Sequence, residues 1–114
     1  MDPLARDELY GIAREAVHNA IAHAEASRID VSLHHEGADA VLGIHDDGQG
    51  IPPAILSTGR PGHWGLRGMH ERAENIGGKA VITSPEQGGT HVVVRVPLSR
   101  VMPKAAWWRR WLRD

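Results

Sequence analysis

The sequence predicts an α+β fold, a two-layer α/β sandwich with helices packed on one face of a mostly antiparallel sheet. Three observations predict it. Two apolar patterns of helical period, near residues 9–24 and 66–76, alternate with two β-rich pairs. Each β pair is joined by a link of hairpin length, which implies antiparallel pairing. The chain's 114 residues have room for one compact domain, so both layers share one core.

The elements follow in order. Asp2-Pro3 reads as a helix start, Asp at the N-cap and Pro at the first helical position. Apolar residues recur at Leu9, Ile12, Ala13, Ala16, Val17, Ala20, Ile21 and Ala24, one stripe of a helix expected over 3–25. Ile29, Val31 and Leu33 alternate with polar residues as in a half-buried strand. Glu36-Gly37-Ala38-Asp39 then reads as a hairpin link to a returning strand, Ala40 to His45. Residues 46–65 are too rich in Gly and Pro for a long element, though Pro53 to Ser57 suits a short helical turn. Leu66, Met69, Ala73 and Ile76 keep helical spacing until Gly77-Gly78. Lys79–Thr83 and Thr90–Val96 form the last β pair around Ser84–Gly89.

Composition narrows the chemistry. There are no cysteines, which excludes disulfides, thiolate zinc sites and cysteine nucleophiles. A net charge of −1 gives no drive toward nucleic acid, and no nucleic-acid partner is expected. No apolar run reaches the roughly 18–20 residues that span a bilayer, and the N-terminus has no signal-peptide pattern, so a cytoplasmic setting is expected. Residues 99–114 are read as a separate basic tail with a net charge of +4. Trp107, Trp108, Trp111 and Leu112 share one side of a helical wheel there, with Arg109, Arg110 and Arg113 opposite. Such a tail suits a membrane surface, or a helix whose indoles cover an edge of the domain.

Three clusters can carry chemistry. In Glu15-Ala16-Val17-His18-Asn19, four residues of helix turn through about 400°, so Glu15 and Asn19 stack beside the apolar stripe. They are either a solvated polar flank or oxygen ligands for a hard cation such as Mg²⁺. Asp46-Asp47-Gly48-Gln49-Gly50 ends a strand with a carboxylate and alternating glycines. That is either a tight acidic turn or an acceptor for a buried ligand amine. Gly62-His63-Trp64-Gly65-Leu66-Arg67-Gly68-Met69 runs into a helix start, where free N–H groups favour an anion, although a linker would look the same.

The order of these clusters, closed by Gly89-Thr90, resembles the histidine-kinase-like ATPase domain of the GHKL superfamily, a Bergerat-type ATP-binding fold shared with gyrase, the ninety-kilodalton chaperone and MutL. Gly65-Leu66-Arg67-Gly68-Met69-His70-Glu71-Arg72-Ala73 and Gly77-Gly78 look most like nitrate-sensor and DesK-type kinases. The resemblance covers about residues 7–98, and residues 1–98 are taken as the ATP-binding catalytic domain.

That resemblance implies a site residue by residue. Asn19 would coordinate the Mg²⁺ that bridges the phosphates of ATP. Glu15 would serve as general base for water, as in gyrase-type members, or orient metal-bound water, as in kinases. Asp46 would take the adenine amino proton, with Gly48, Gly50 and Ile51 beneath base and ribose. Gly62, His63, Trp64, Gly65 and Leu66 match the second glycine box, at the hinge of a short lid over about residues 52–64. Thr90 would support Asp46. Ala22 stands where many kinases carry a phosphate-binding Lys or Arg, leaving His18, His23 or a lid cation to fill that role.

No phosphoacceptor His is recognisable, so the implied partners are a dimerising helical hairpin that bears it and a downstream response regulator. The chain then reads as the cytoplasmic catalytic part of a membrane-bound sensor. A stand-alone serine kinase of the anti-sigma-factor type and a degenerate, non-catalytic nucleotide-binding module are the alternatives. A metal enzyme built on the eight His is disfavoured, since His18 and His23 share a helical face poorly and His34 and His35 point to opposite sides of their strand.

Overall fold

The computed structural model describes residues 2–58 and 64–102. Helix α1 spans Pro3–Ala22 and is capped by the Asp2 carboxylate, which accepts from the Ala5 amide at 3.0 Å. It stops three residues short of the expected end. The amides of His23 and Ala24 both donate to the Asn19 carbonyl at 3.0 Å, and Glu25 then takes a φ of +52°, which no α-helix accommodates. Ala24 is buried all the same, which is why the apolar pattern counts it.

Strands β1 (Ile29–Glu36) and β2 (Asp39–Asp46) form the first hairpin. Helices α2 (Pro53–Thr58) and α3 (Leu66–Asn75) follow, then β3 (Lys79–Thr83), β4 (Thr90–Pro97) and the short α4 (Leu98–Val101). The four strands are antiparallel in the order β1-β2-β4-β3, so the two hairpins join through their second strands. The α+β two-layer sandwich holds. Ile12 of α1 and Met69 and Ala73 of α3 pack in one core with Leu42, Ile44, Val92, Val94 and Val96. Buried side chains of this size contribute about 1.5–3 kcal/mol each by leaving water. Val101 is also buried, so the packed layer runs through α4.

One expectation needs correcting. The alternation in β1 is real, but only Ile29 is half-buried; Val31 and Leu33 are 54% and 52% exposed. α1 lies chiefly against β2 and α3 against β3, so the edge strand β1 stands largely beyond the helices' cover. Ile21, counted in the α1 stripe, is exposed for the related reason that it lies on the side of the helix away from the sheet. Among the described residues no helix is long and apolar enough to cross a membrane. The tail Trp and Arg residues lie outside the described residues.

Candidate nucleotide site

The β2–β4 register sets Asp46 directly opposite Thr90, at the end of the sheet nearest the last turns of α1. Both reach a small cavity lined also by Asn19, Ile44, Ile51, Trp64 and Met69. Residues from four separate stretches of sequence therefore meet where the helices and the sheet part.

Asn19 is buried, with 6% of its surface exposed, so the solvated-flank reading of the first cluster is set aside. Its Nδ2 donates to the Trp64 carbonyl at 2.6 Å. Among the described residues its Oδ1 is buried without a hydrogen-bond partner, an arrangement that costs about 1–3 kcal/mol unless a ligand satisfies it. An orphaned amide oxygen fits a hard divalent cation, and Asn19 suits the Mg²⁺ role on that ground.

Asp46 is half-buried, and its Oδ1 accepts from the Gly48 amide at 2.8 Å, so the carboxylate is oriented by its own turn. Gly48 has to be glycine. A Cβ there would sit 2.5 Å from the Ala24 carbonyl oxygen, and the turn is tied to that same carbonyl through the Gln49 amide at 2.8 Å. Gly50 is buried next to Ile51, whose amide donates to Ser84 Oγ at 2.9 Å, while Ser84 Oγ donates to the Gly89 carbonyl at 2.9 Å. Ser84 thus pins the glycine turn to the second hairpin.

Gly65 caps α3 in the left-handed region at φ +65°, and a Cβ there would run into the Glu15 carboxylate. Glu15 belongs to a neighbouring open trench between α1 and α3, of about 550 Å³, which it shares with Arg14, His18 and Arg72. The structure therefore brings Glu15 beside the cavity, with Gly65 and Met69 between. Leu66 is in the core, with 2% exposed, and anchors α3. His23 is exposed and packs its ring against Trp64, with centroids 4.4 Å apart; His18 meets His23 edge-on at 6.0 Å. Gly62 and His63 lie outside the described residues.

Besides Ser84, two sets of residues were given no role from sequence. Asp47 accepts from the Ser27 and Arg28 amides, both at 2.9 Å, and from Ser27 Oγ at 2.7 Å, fastening the loop after α1 to the end of β2. The Arg28 amide, followed by the Ser27 hydroxyl, holds the Asp47 carboxyl below its ordinary value. Glu8, buried at 8% exposure, accepts from Arg72 at 2.7 Å and from Asn75 Nδ2 at 2.6 Å, clasping α1 to α3. Partners 64 and 67 positions apart leave no local signal.

A family profile described as histidine kinase-, DNA gyrase B- and HSP90-like ATPase matches residues 5–100. The chain belongs to that family. Among curated relatives of this ATPase domain, the sensor histidine kinase LiaS of Bacillus subtilis is 35% identical over 92 residues, covering 81% of this chain and 25% of LiaS. The nitrate/nitrite sensor protein NarX of Escherichia coli is 36% identical over 86 residues, covering 75% of this chain and 14% of NarX. The chain thus spans a quarter or less of these two relatives. The ATP-binding domain of PrrB from Mycobacterium tuberculosis superposes with a TM-score of 0.66 at 26% identity, over 80% of this chain and 67% of that one. The histidine kinase domain of the blue-light activated kinase of Erythrobacter litoralis reaches 0.72 at 22% identity, over 85% and 46%, a likeness of fold.

Proposed function

We propose that this ATPase-family domain is the catalytic part of a two-component sensor histidine kinase, binding Mg-ATP and donating the γ-phosphoryl to a His on a dimerising helical domain. The observation that carries the reading is the unpartnered Asn19 Oδ1, buried in the same cavity as Asp46 and Thr90. A metal-facing amide and a base-facing carboxylate at one cavity suit a ligand that is cationic at one end, through its metal, and an amine donor at the other.

In this reading Asp46 accepts from the adenine 6-amino group. A guanine would present a carbonyl oxygen to the same carboxylate, so adenine is preferred. Thr90 backs Asp46 from the paired strand, while Gly48, Gly50 and Ile51 form the floor. Mg²⁺, when bound, would neutralise charge on the phosphates, which is most of what phosphoryl transfer requires of a protein beyond positioning. Asn19 would hold that ion, with Glu15 orienting water near it. Arg14 and Arg72, the latter also bonded to Glu8, line the trench beside Glu15 with His18, and such donors suit a polyphosphate where position 22 is alanine. Leu66 anchors the start of α3 behind the Gly65 cap, and His23 and Trp64, packed on each other, stand on the base side of the site. The response regulator, the cytoplasmic setting within a membrane-bound sensor and a membrane-surface role for the basic tail belong to the same proposal. The curated relatives, sensor proteins both, support it over a stand-alone serine kinase.

The test is calorimetry of Mg-ATP binding to the chain, followed by incubation of γ-labelled ATP with the chain and a separately purified dimerisation hairpin. Saturable heat and an acid-labile, base-stable label on the hairpin are expected. Absence of heat at millimolar nucleotide removes the nucleotide reading, and an acid-stable label would indicate a serine acceptor.

A further inference from the structure

Side chains along a strand alternate between faces. Asp46 and Thr90 turn toward the helices, so His45 and His91, each one residue away, turn to the face that the helices do not cover. The two histidines stand directly opposite one another, where Cβ atoms of paired strands lie about 4.5–5.5 Å apart. Their imidazoles stack, with ring centroids 4.3 Å apart and planes 15° from parallel. Among the described residues neither ring makes a hydrogen bond. Other histidines are engaged differently: His34 bonds Glu36 at 2.7 Å, and His23 packs on Trp64.

The surroundings leave the pair room to turn. Gly43, two residues before His45 on the same face, has no side chain, and His45 Nε2 lies 3.6 Å from where its Cβ would stand. The same rung of the sheet holds Asp30 on β1 and Thr83 on β3. Asp30 is engaged by Arg28 at 3.1 Å, and among the described residues no third His, Asp or Glu completes a metal-binding cluster. The pair thus offers two nitrogen donors and no carboxylate. Imidazole suits Cu²⁺, Ni²⁺ and Zn²⁺, whereas Mg²⁺ and Ca²⁺ take oxygen ligands.

We propose that His45 and His91 form a two-imidazole site for a late first-row divalent cation, on the opposite face of the sheet from the candidate nucleotide cavity. Rotation of the rings out of their stack turns one nitrogen of each toward a shared ion, at about 2.0–2.1 Å for zinc, and water fills the remaining positions. Cu²⁺ binds ahead of Ni²⁺ and Zn²⁺, the usual order at nitrogen sites. The bound ion links β2 to β4 across the rung next to Asp46 and Thr90.

The experiment titrates the full chain, without nucleotide, with Ni²⁺ by calorimetry, beside the variants His45→Gln and His91→Gln. Each variant is expected to bind about ten-fold more weakly or worse, because one imidazole alone forfeits the advantage of two linked donors. As a second measurement, the imidazole C–H resonances of the unaltered chain are followed by NMR during addition of substoichiometric Cu²⁺, which broadens signals near it. Those of His45 and His91 should broaden together, before those of the other six of the eight histidines. Unchanged Ni²⁺ affinity in either variant overturns the proposal, as does absence of binding at millimolar Ni²⁺. Earlier broadening at His18 and His23, whose rings also meet, or at any other histidine overturns it too, and the NMR arm decides if a variant does not fold. ATP takes no part in either measurement, so the nucleotide reading stands or falls separately.

Discussion

The Arg72 guanidinium donates to the buried Glu8 carboxylate at 2.7 Å, joining the two helices that carry opposite sides of the candidate site. α1 bears Glu15 and Asn19, and α3 begins at the Gly65 cap against which Glu15 lies. Asn75 fills the second carboxylate oxygen of Glu8 at 2.6 Å, so both oxygens are engaged at the helix interface.

Glu8→Ala removes two charge-assisted bonds and leaves Arg72 and Asn75 without their shared acceptor. Arg72 is 46% exposed and can rehydrate, which limits the loss. The expected destabilisation is about 2 kcal/mol, read as a lowered urea midpoint with an unchanged slope.

Asp46→Asn keeps the oxygen that accepts from the Gly48 amide and replaces the other with an amide nitrogen. The turn and the fold survive, but the group facing the base now donates where an acceptor is required. ATP affinity should fall about 100-fold or more by calorimetry, at an unaltered melting temperature. Wild-type affinity in the variant removes Asp46 from base recognition.

Asn19→Ala deletes the orphaned oxygen together with the bond to Trp64. Nucleotide affinity should become independent of Mg²⁺, measured with and without chelator. A retained Mg²⁺ dependence would take Asn19 out of the metal site.

Asp47 supplies an acid-sensitive fastening. Its folded-state value is depressed by the Arg28 amide and then the Ser27 hydroxyl. A depressed carboxylate stabilises above its unfolded value, about 3.9, and that contribution is lost as pH falls through the lower folded value. The stability gap between wild type and Asp47→Ala should therefore be constant above about pH 5 and narrow steadily below about pH 4. Thermal unfolding across pH measures it, and a gap that widened toward acid would contradict the assignment.

Gly48→Ala places a methyl 2.5 Å from the Ala24 carbonyl oxygen and 2.6 Å from its Cβ. The end of β2 must then move away from the end of α1, at an expected cost of about 1–3 kcal/mol. ATP affinity should fall as well, since Asp46 and Asn19 are carried by the two parts that separate; chemical denaturation and calorimetry report the two effects.

Much of this site was legible in residue order. Glu15, Asn19, Asp46, Gly48 and Thr90 were named because the order of their motifs resembles the histidine-kinase-like ATPase family; Asn19, Asp46 and Thr90 line one cavity at the end of the sheet, and Glu15 lies in the adjoining trench. Ser84, Asp47 and the Glu8–Arg72–Asn75 clasp were not, because each acts across 20 to 67 positions and has an ordinary local role. Ser84 reads as a residue before proline in a turn, and Arg72 as one of several helix cations.

Element types and their order follow from hydrophobic period and turn chemistry, which are local and written along the chain. Which strands stand side by side is not local. Joining the two hairpins through β2 and β4 puts Asp46 opposite Thr90 and leaves β1 at an edge, where Val31 and Leu33 meet water despite a correct alternation. The burial of Asn19 and the seat of Trp64 were decided in the same way. Both depend on where α3 comes to rest against α1, and that is set by packing of the assembled layers, not by either segment alone.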